Sequence, residues 1–313
     1  MVKFGMIFPG QGSQHVGMLA DLAQKRPEIL SIFAEASELL QYDLWALVSK
    51  GPEAVLNQTE RTQPALLVAG VATFHCWCEW GGAQPVYMAG HSLGEYTALV
   101  CAGALSLREA VLLVAQRGRY MQEAVLEGMG AMAALVGLEP QEIVAVCQEA
   151  ALGQVVSPAN YNSIGQTVVS GHREAVLRAI ELAKERGAKL AKLIPVSVPS
   201  HCALMQPAVT RLRKNLAKVH LLTPEIPVVH NSDVKVHFDV EAIRQVLENQ
   251  LIHPVRWVET IQWLAEQGVT QLFECGPGQV LTGLNKRITT QIHTQPLDSP
   301  EAIVISIGKI RGS

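Results

Sequence analysis

Charge is scarce in this sequence and balanced in sign. Only 17% of the 313 residues are Asp, Glu, Lys or Arg, and the formal net charge is −3. The chain therefore lacks the basic surplus that a nucleic-acid partner attracts. Cysteine is sparse too. Cys76-x-Cys78 has no second pair and no His-x-His to complete it, so no metal site is expected, and Cys101, Cys147, Cys202 and Cys275 stand alone. All six read as buried free thiols of a reducing compartment. No apolar run reaches the length of a membrane span. The opening Met1-Val2-Lys3-Phe4-Gly5 passes into a strand-like run without the apolar core of a signal peptide. A cytoplasmic protein with no membrane partner is the expectation. Gly-Lys-Ser/Thr and Gly-x-Gly-x-x-Gly are both missing, so the loop Pro9 to Gln14 is not read as a nucleotide site. No repeat or low-complexity stretch occurs.

What is present is a chain that is 49% hydrophobic, long enough for one large domain or two smaller ones. Its centre is Val86-Tyr87-Met88-Ala89-Gly90-His91-Ser92-Leu93-Gly94-Glu95-Tyr96. A short apolar run ends in Gly-x-Ser-x-Gly, and a helical stretch, Leu93 to Ala104, follows. This is the strand-turn-helix setting of a nucleophile elbow. Gly90 and Gly94 allow strand and helix to approach closely. Ser92 is then presented at a helix N-terminus, where free N–H groups and the helix dipole favour developing negative charge.

Around the elbow the chain alternates strands and helices. Phe4 to Phe8 is a short buried strand. Helical patterns cover Met18–Gln24, Glu28–Leu40 and Ala65–Trp80, the last with Pro64 at its entry. Ser106-x-x-Glu109 is a capping box opening a helix to about Leu126. Residues 128–198 read as strand, helix, two strands, helix, strand, a ferredoxin-like βαββαβ order. The last strand is expected over Lys189–Val198. Further strands (Ile226–His230, Gln271–Glu274) and helices (Gln206–Val219, Val240–Leu251, Trp257–Gln267) follow. The expected fold is α/β, a large α/β-hydrolase-like domain with a parallel sheet covered on both faces. Residues 1–127 and 199–313 form that domain, and 128–198 are an inserted ferredoxin-like α+β subdomain.

A serine nucleophile needs a base. Ten histidines are available, and spacing does not choose among them. His201 is attractive because it sits at the domain junction in a proline-fixed loop, whereas His91 points away from so tight a turn. Arg117 lies on the edge of the inward stripe Ala110, Val114, Gly118, Met121 and Val125, while Arg119 faces solvent. An inward arginine requires an anionic partner. A salt bridge within the fold, or a head that reaches out to water, would answer the same need.

Several separated motifs in order resemble the malonyl-CoA:acyl carrier protein transacylase family. They are Phe8-Pro9-Gly10-Gln11-Gly12-Ser13-Gln14, Gly90 to Tyr96, Gln116-Arg117-Gly118 and Ala159-Asn160-Tyr161-Asn162-Ser163. Val196-Ser197-Val198-Pro199-Ser200-His201, Asn249-Gln250-Leu251 and Glu274-Cys275-Gly276-Pro277-Gly278 complete the set. The resemblance implies transfer of malonyl from malonyl-CoA to the phosphopantetheine thiol of acyl carrier protein, with no cofactor or metal. It implies Ser92 as nucleophile, His201 as base and the backbone carbonyl of Gln250 as the group orienting that base. The backbone N–H groups of Gln11 and Leu93 would form the oxyanion hole. Arg117 would bind the malonyl carboxylate, with Asn160 and Asn162 on the substrate cleft. An acidic carrier would need basic residues, for which Lys184, Arg186, Lys189, Lys192, Arg211, Arg213, Lys214 and Lys218 are candidates. An α/β-hydrolase esterase shares the elbow, but the inserted module and Arg117 set this chain apart from one.

Overall fold

A computed structural model describes residues 2–196 and 198–312; Met1, Ser197 and Ser313 lie outside it. Two sheets organise the chain. The first holds β1 (Phe4–Phe8) and β2 (Tyr87–Gly90) from before the residues 128–198, and β7 (Val228–Val229), β8 (Gln271–Glu274) and β9 (His293–Pro296) from after them. The second holds β3 (Gly130–Val136), β4 (Val156–Ser163), β5 (Gln166–His172) and β6 (Leu190–Leu193).

The first sheet runs β7-β2-β1-β8-β9, and every neighbouring pair is parallel. Side chains alternate across a strand, and β1 uses both faces. Phe4, Met6 and Phe8 enter one apolar cluster, while Ile7 enters another with Ala89, Val229 and Leu272. Helices cover the sheet on both sides, so the central strand β1 is buried throughout, while the edge strand β9 stays partly exposed. Among the described residues no helix is long and apolar enough to cross a membrane.

The second sheet is antiparallel, in the order β4-β5-β3-β6, with helices Pro140–Ala151 and Arg173–Glu185 on one face. This is the ferredoxin-like arrangement. Ala131, Ala133 and Leu135 pack under those helices in a core made only from this part of the chain. Met132 and Val168 point to the opposite face, together with Ala159. That face looks toward the end of β2, where the elbow lies.

Several elements differ from their sequence expectation. The helix expected from Ala65 begins at Thr59, and Pro64 stands inside it. Thr59, Thr62 and Gln63 look like a polar lead-in but are buried, so an apolar pattern misses them. The expected strand Lys189–Val198 is only Leu190–Leu193, since β6 is an edge strand paired to β3 alone. Beyond it the chain turns, with Val196 N–H donating to the Ile194 carbonyl; Ser197 of that expectation lies outside the described residues. Ser106 caps the helix Leu107–Glu123 by accepting from Glu109 N–H. The reciprocal half of the capping box is replaced: the Glu109 carboxyl accepts from the Ser106 hydroxyl and from His220 N–H.

Candidate active site

The elbow is built by contact distances that admit no side chain. A Cβ on Gly90 would lie 1.9 Å from the Gly94 carbonyl carbon, and one on Gly94 would lie 2.1 Å from the Phe8 carbonyl oxygen. Strand β2, strand β1 and the helix Gly94–Cys101 therefore meet at Ser92. Ser92 takes φ 50°, the left-handed region that a non-glycine residue enters only when its surroundings force it. Ser92 lines a cavity of about 180 Å³, together with Gln11, Leu93, Arg117, Asn160, Asn162 and His201 among others.

His201 Nε2 is 2.8 Å from Ser92 Oγ, and His201 Nδ1 is 2.7 Å from the Gln250 carbonyl oxygen. A carbonyl only accepts, so the proton sits on Nδ1 and the Nε2 lone pair faces the serine hydroxyl. The imidazole is 3% exposed. Burial, reinforced by the nearby Arg117 charge, pushes its pKa down to about 3. The ring is thus a neutral base well below neutral pH. His201 also takes a left-handed backbone, φ 61°, so both members of the pair are held in strained conformations.

Arg117 is 1% exposed. Nη1 donates to Gln63 Oε1 at 2.7 Å, and Nη2 donates to Gln250 Oε1 at 2.8 Å and to Ser92 Oγ at 3.3 Å. Its Nε has no partner among the described residues. Its guanidinium carbon lies 5.3 Å from the centre of the Tyr96 ring. Burial holds its pKa below the ordinary arginine value. Among the described residues Arg117 makes no salt bridge and its head does not reach water: every acceptor it bonds is a neutral oxygen. Arg119, by contrast, is exposed and paired with Glu123.

Asn160 and Asn162 project from β4 at its irregular stretch, where Asn160 also bridges to Val255. Asn160 is buried on the cavity wall, while the Asn162 side-chain oxygen lies 2.8 Å from His91 Nε2. His91 is thereby turned away from the serine. Met132, Val168, Ile194 and Val196 give the cavity an apolar wall opposite the elbow.

Sequence reasoning gave Gln250 one function, through its backbone. Its side chain does as much. Oε1 accepts from Arg117, and Nε2 donates to the Ser92 carbonyl and to Glu95 Oε2, each at 2.9 Å. Shortening it to asparagine would break this set, so position 250 tolerates far less than a carbonyl-only role implies. Gln63, Glu95 and Asn231 were missed altogether; each is polar, buried and far in sequence from its partners, and no spacing signals such a residue.

The basic candidates divide. Lys184, Arg186, Arg211 and Arg213 are paired with Glu181, Glu149, Glu123 and Glu248. Lys189, Lys192, Lys214 and Lys218 make no ion pair among the described residues.

Residues 6–304 match the family model of the acyl transferase domain. The chain is 54% identical over 307 residues to the malonyl CoA-acyl carrier protein transacylase of Escherichia coli strain K12, spanning 98% of this chain and 99% of that one. The solved malonyl CoA-acyl carrier protein transacylase from Coxiella burnetii superposes with a TM-score of 0.97 at 57% identity, over 98% of each chain. A malonyl-transacylase solved in complex with a type II PKS acyl-carrier protein also gives 0.97, at 52% identity over 98% of this chain and 99% of that one.

Proposed function

The chain belongs to the acyl transferase family, in the branch of the malonyl-CoA:acyl carrier protein transacylases, and we propose that Ser92 and His201 carry out its transfer chemistry. It is an acyltransferase that moves malonyl from malonyl-CoA to acyl carrier protein. The observation that carries our reading of the site is Arg117: a buried cation beside a serine nucleophile, bonded to neutral oxygens only.

Ser92 Oγ attacks the thioester carbonyl and gives its proton to His201 Nε2. The Gln11 and Leu93 N–H groups take the developing oxyanion. Collapse expels the CoA sulfur, which receives the proton back from His201. The carrier's phosphopantetheine thiol then enters, yields its proton to His201 and attacks the malonyl ester, and Ser92 recovers its proton as it leaves. Between the two halves the apolar wall of Met132, Val168, Ile194 and Val196 keeps water from the ester. Asn160 and Asn162 border the path of the pantetheine arm. We further propose that residues 128–198 act as a subdomain carrying that wall, set between 1–127 and 199–313, and that the enzyme works in the cytoplasm.

Arg117 supplies selectivity. Its planar fork can make two parallel hydrogen bonds to the malonyl carboxylate. A hydrogen bond to a charged group is worth about 1.5–3 kcal/mol, roughly 10- to 150-fold. Arg117→Ala is expected to lower kcat/KM for malonyl-CoA by at least that factor and to affect acetyl-CoA far less. Arg117→Lys recovers part, since a point charge cannot reproduce the fork. The check is intact-protein mass after incubation with a panel of acyl-CoAs, followed by kcat/KM for the malonyl and acetyl donors. Equal losses for both donors would show that Arg117 is structural.

A further inference from the structure

Ser92 holds a left-handed conformation, and one side chain spans the turn that contains it. Asn231 is fully buried in the loop that follows β7. Its Oδ1 accepts from Ser92 N–H at 2.7 Å, and its Nδ2 donates to the Gly90 carbonyl at 2.6 Å. The amide therefore clasps the elbow on both sides of His91. Only one orientation of the amide satisfies both bonds, because one partner donates and the other accepts.

Asn231 is itself fixed. Its N–H donates to Glu95 Oε2 at 3.0 Å, and its carbonyl accepts from Arg256 N–H. Glu95, in the first turn of the elbow helix, also receives the Gln250 side-chain amide on Oε2 and the His230 ring on Oε1. Those two acceptors, the Ser92 carbonyl and Glu95, oblige Gln250 to turn its oxygen toward Arg117. One buried network thus reaches the serine backbone, the carbonyl that orients His201 and the acceptor that holds Arg117.

We propose that Asn231 is a positioning residue for the nucleophile, holding Ser92 Oγ in line with His201 by clasping the elbow across His91. It touches neither the acyl group nor the proton in flight. This rests on Ser92 being the nucleophile. A displacement of about 1 Å at a reacting atom costs about 10²-fold in rate, and loss of the clasp frees the backbone on which Oγ is mounted.

The test is single-turnover acylation, read by rapid quench and intact mass at saturating malonyl-CoA and again at saturating acetyl-CoA. The full-length wild type, Asn231→Ala and Asn231→Asp are compared. Asn231→Ala is expected to lower the acylation rate constant about 10²-fold, equally for both donors, with the half-saturating malonyl-CoA concentration unchanged. Asn231→Asp keeps the acceptor for Ser92 N–H but sets a carboxylate oxygen against the Gly90 carbonyl in a buried site, so its rate constant is expected to fall at least as far as that of Asn231→Ala. A purely structural residue would lower the amplitude, the fraction of competent enzyme, and leave the rate constant alone; that result would overturn the proposal. So would a wild-type rate constant, a loss confined to one donor, or failure of both variants to fold. Absence of any adduct on the wild type would instead refute the Ser92 reading itself.

Discussion

Ser92→Ala is expected to take up no malonyl group at all. Mixing the wild type with malonyl-CoA adds the mass of one malonyl, and the same mixture with the alanine variant leaves the mass unchanged. The reason is geometric. Ser92 Oγ meets both His201 Nε2, at 2.8 Å, and Arg117 Nη2, at 3.3 Å, so the same oxygen faces an imidazole placed to take its proton and a cation placed to favour the alkoxide. Alanine removes that oxygen and nothing else, since the elbow's own bonds run through the Ser92 backbone. The variant should therefore fold and still bind malonyl-CoA, because Arg117 and its two glutamine supports are untouched. A malonyl adduct on Ser92→Ala would move the nucleophile elsewhere.

His201→Ala is expected to slow acylation by about 10² to 10⁴, the usual worth of a positioned general base. The pH profile of the wild type gives a second measure. The proposed base would act in its neutral form, and burial together with Arg117 pushes the His201 pKa from 6.5 down to about 3. Protonation is thus postponed to lower pH. For the free enzyme, kcat/KM for malonyl-CoA should stay level as pH falls through 6.5, the point at which an unperturbed histidine would be half protonated. Once a carboxylate sits on Arg117, part of the depression is relieved, so the acid limb of kcat lies above that of kcat/KM. An acid limb of kcat/KM near 6.5, or an alanine variant within tenfold of wild type, would remove His201 from the base role.

How far these features could be read in advance depended on what each residue does. Gly90 and Gly94 were legible because sterics leave no alternative: the distances at which a Cβ would collide are under 2.5 Å. The alternation of Phe4, Met6 and Phe8 against Ile7 was legible as a buried strand because both faces are covered. Arg117 announced itself as a charge on an apolar stripe, though its stripe could not say what it faced. The supports of the site left no such mark. Gln63 lies just before the helix expected from Ala65, Asn231 just after the strand expected over Ile226–His230, and Glu95 within the helical stretch from Leu93. Each is buried only because a partner from a distant segment completes its hydrogen bonds. Periodicity reports apolar burial; it is blind to polar burial, which is decided by the tertiary fold. The short strand β9 and the helix Pro300–Arg311 escaped for a related reason. Their packing partners lie elsewhere in the chain, with β9 set against β8.

The spacing of the site along the chain has a consequence in time. The serine precedes its base by 109 residues, its clasp by 139 and the carbonyl-bearing glutamine by 158. A polypeptide leaving the ribosome, amino end first, exposes the elbow sequence long before anything exists to complete it. Without Asn231 the turn has no clasp, and without His201 and Gln250 the hydroxyl has no base. On the roles proposed for Ser92, His201 and Asn231, reactivity is gained only when segments before and after residues 128–198 have come together. Such distant closures are slow steps in folding. Chains that end before Gln250 are therefore expected to be inert toward malonyl-CoA.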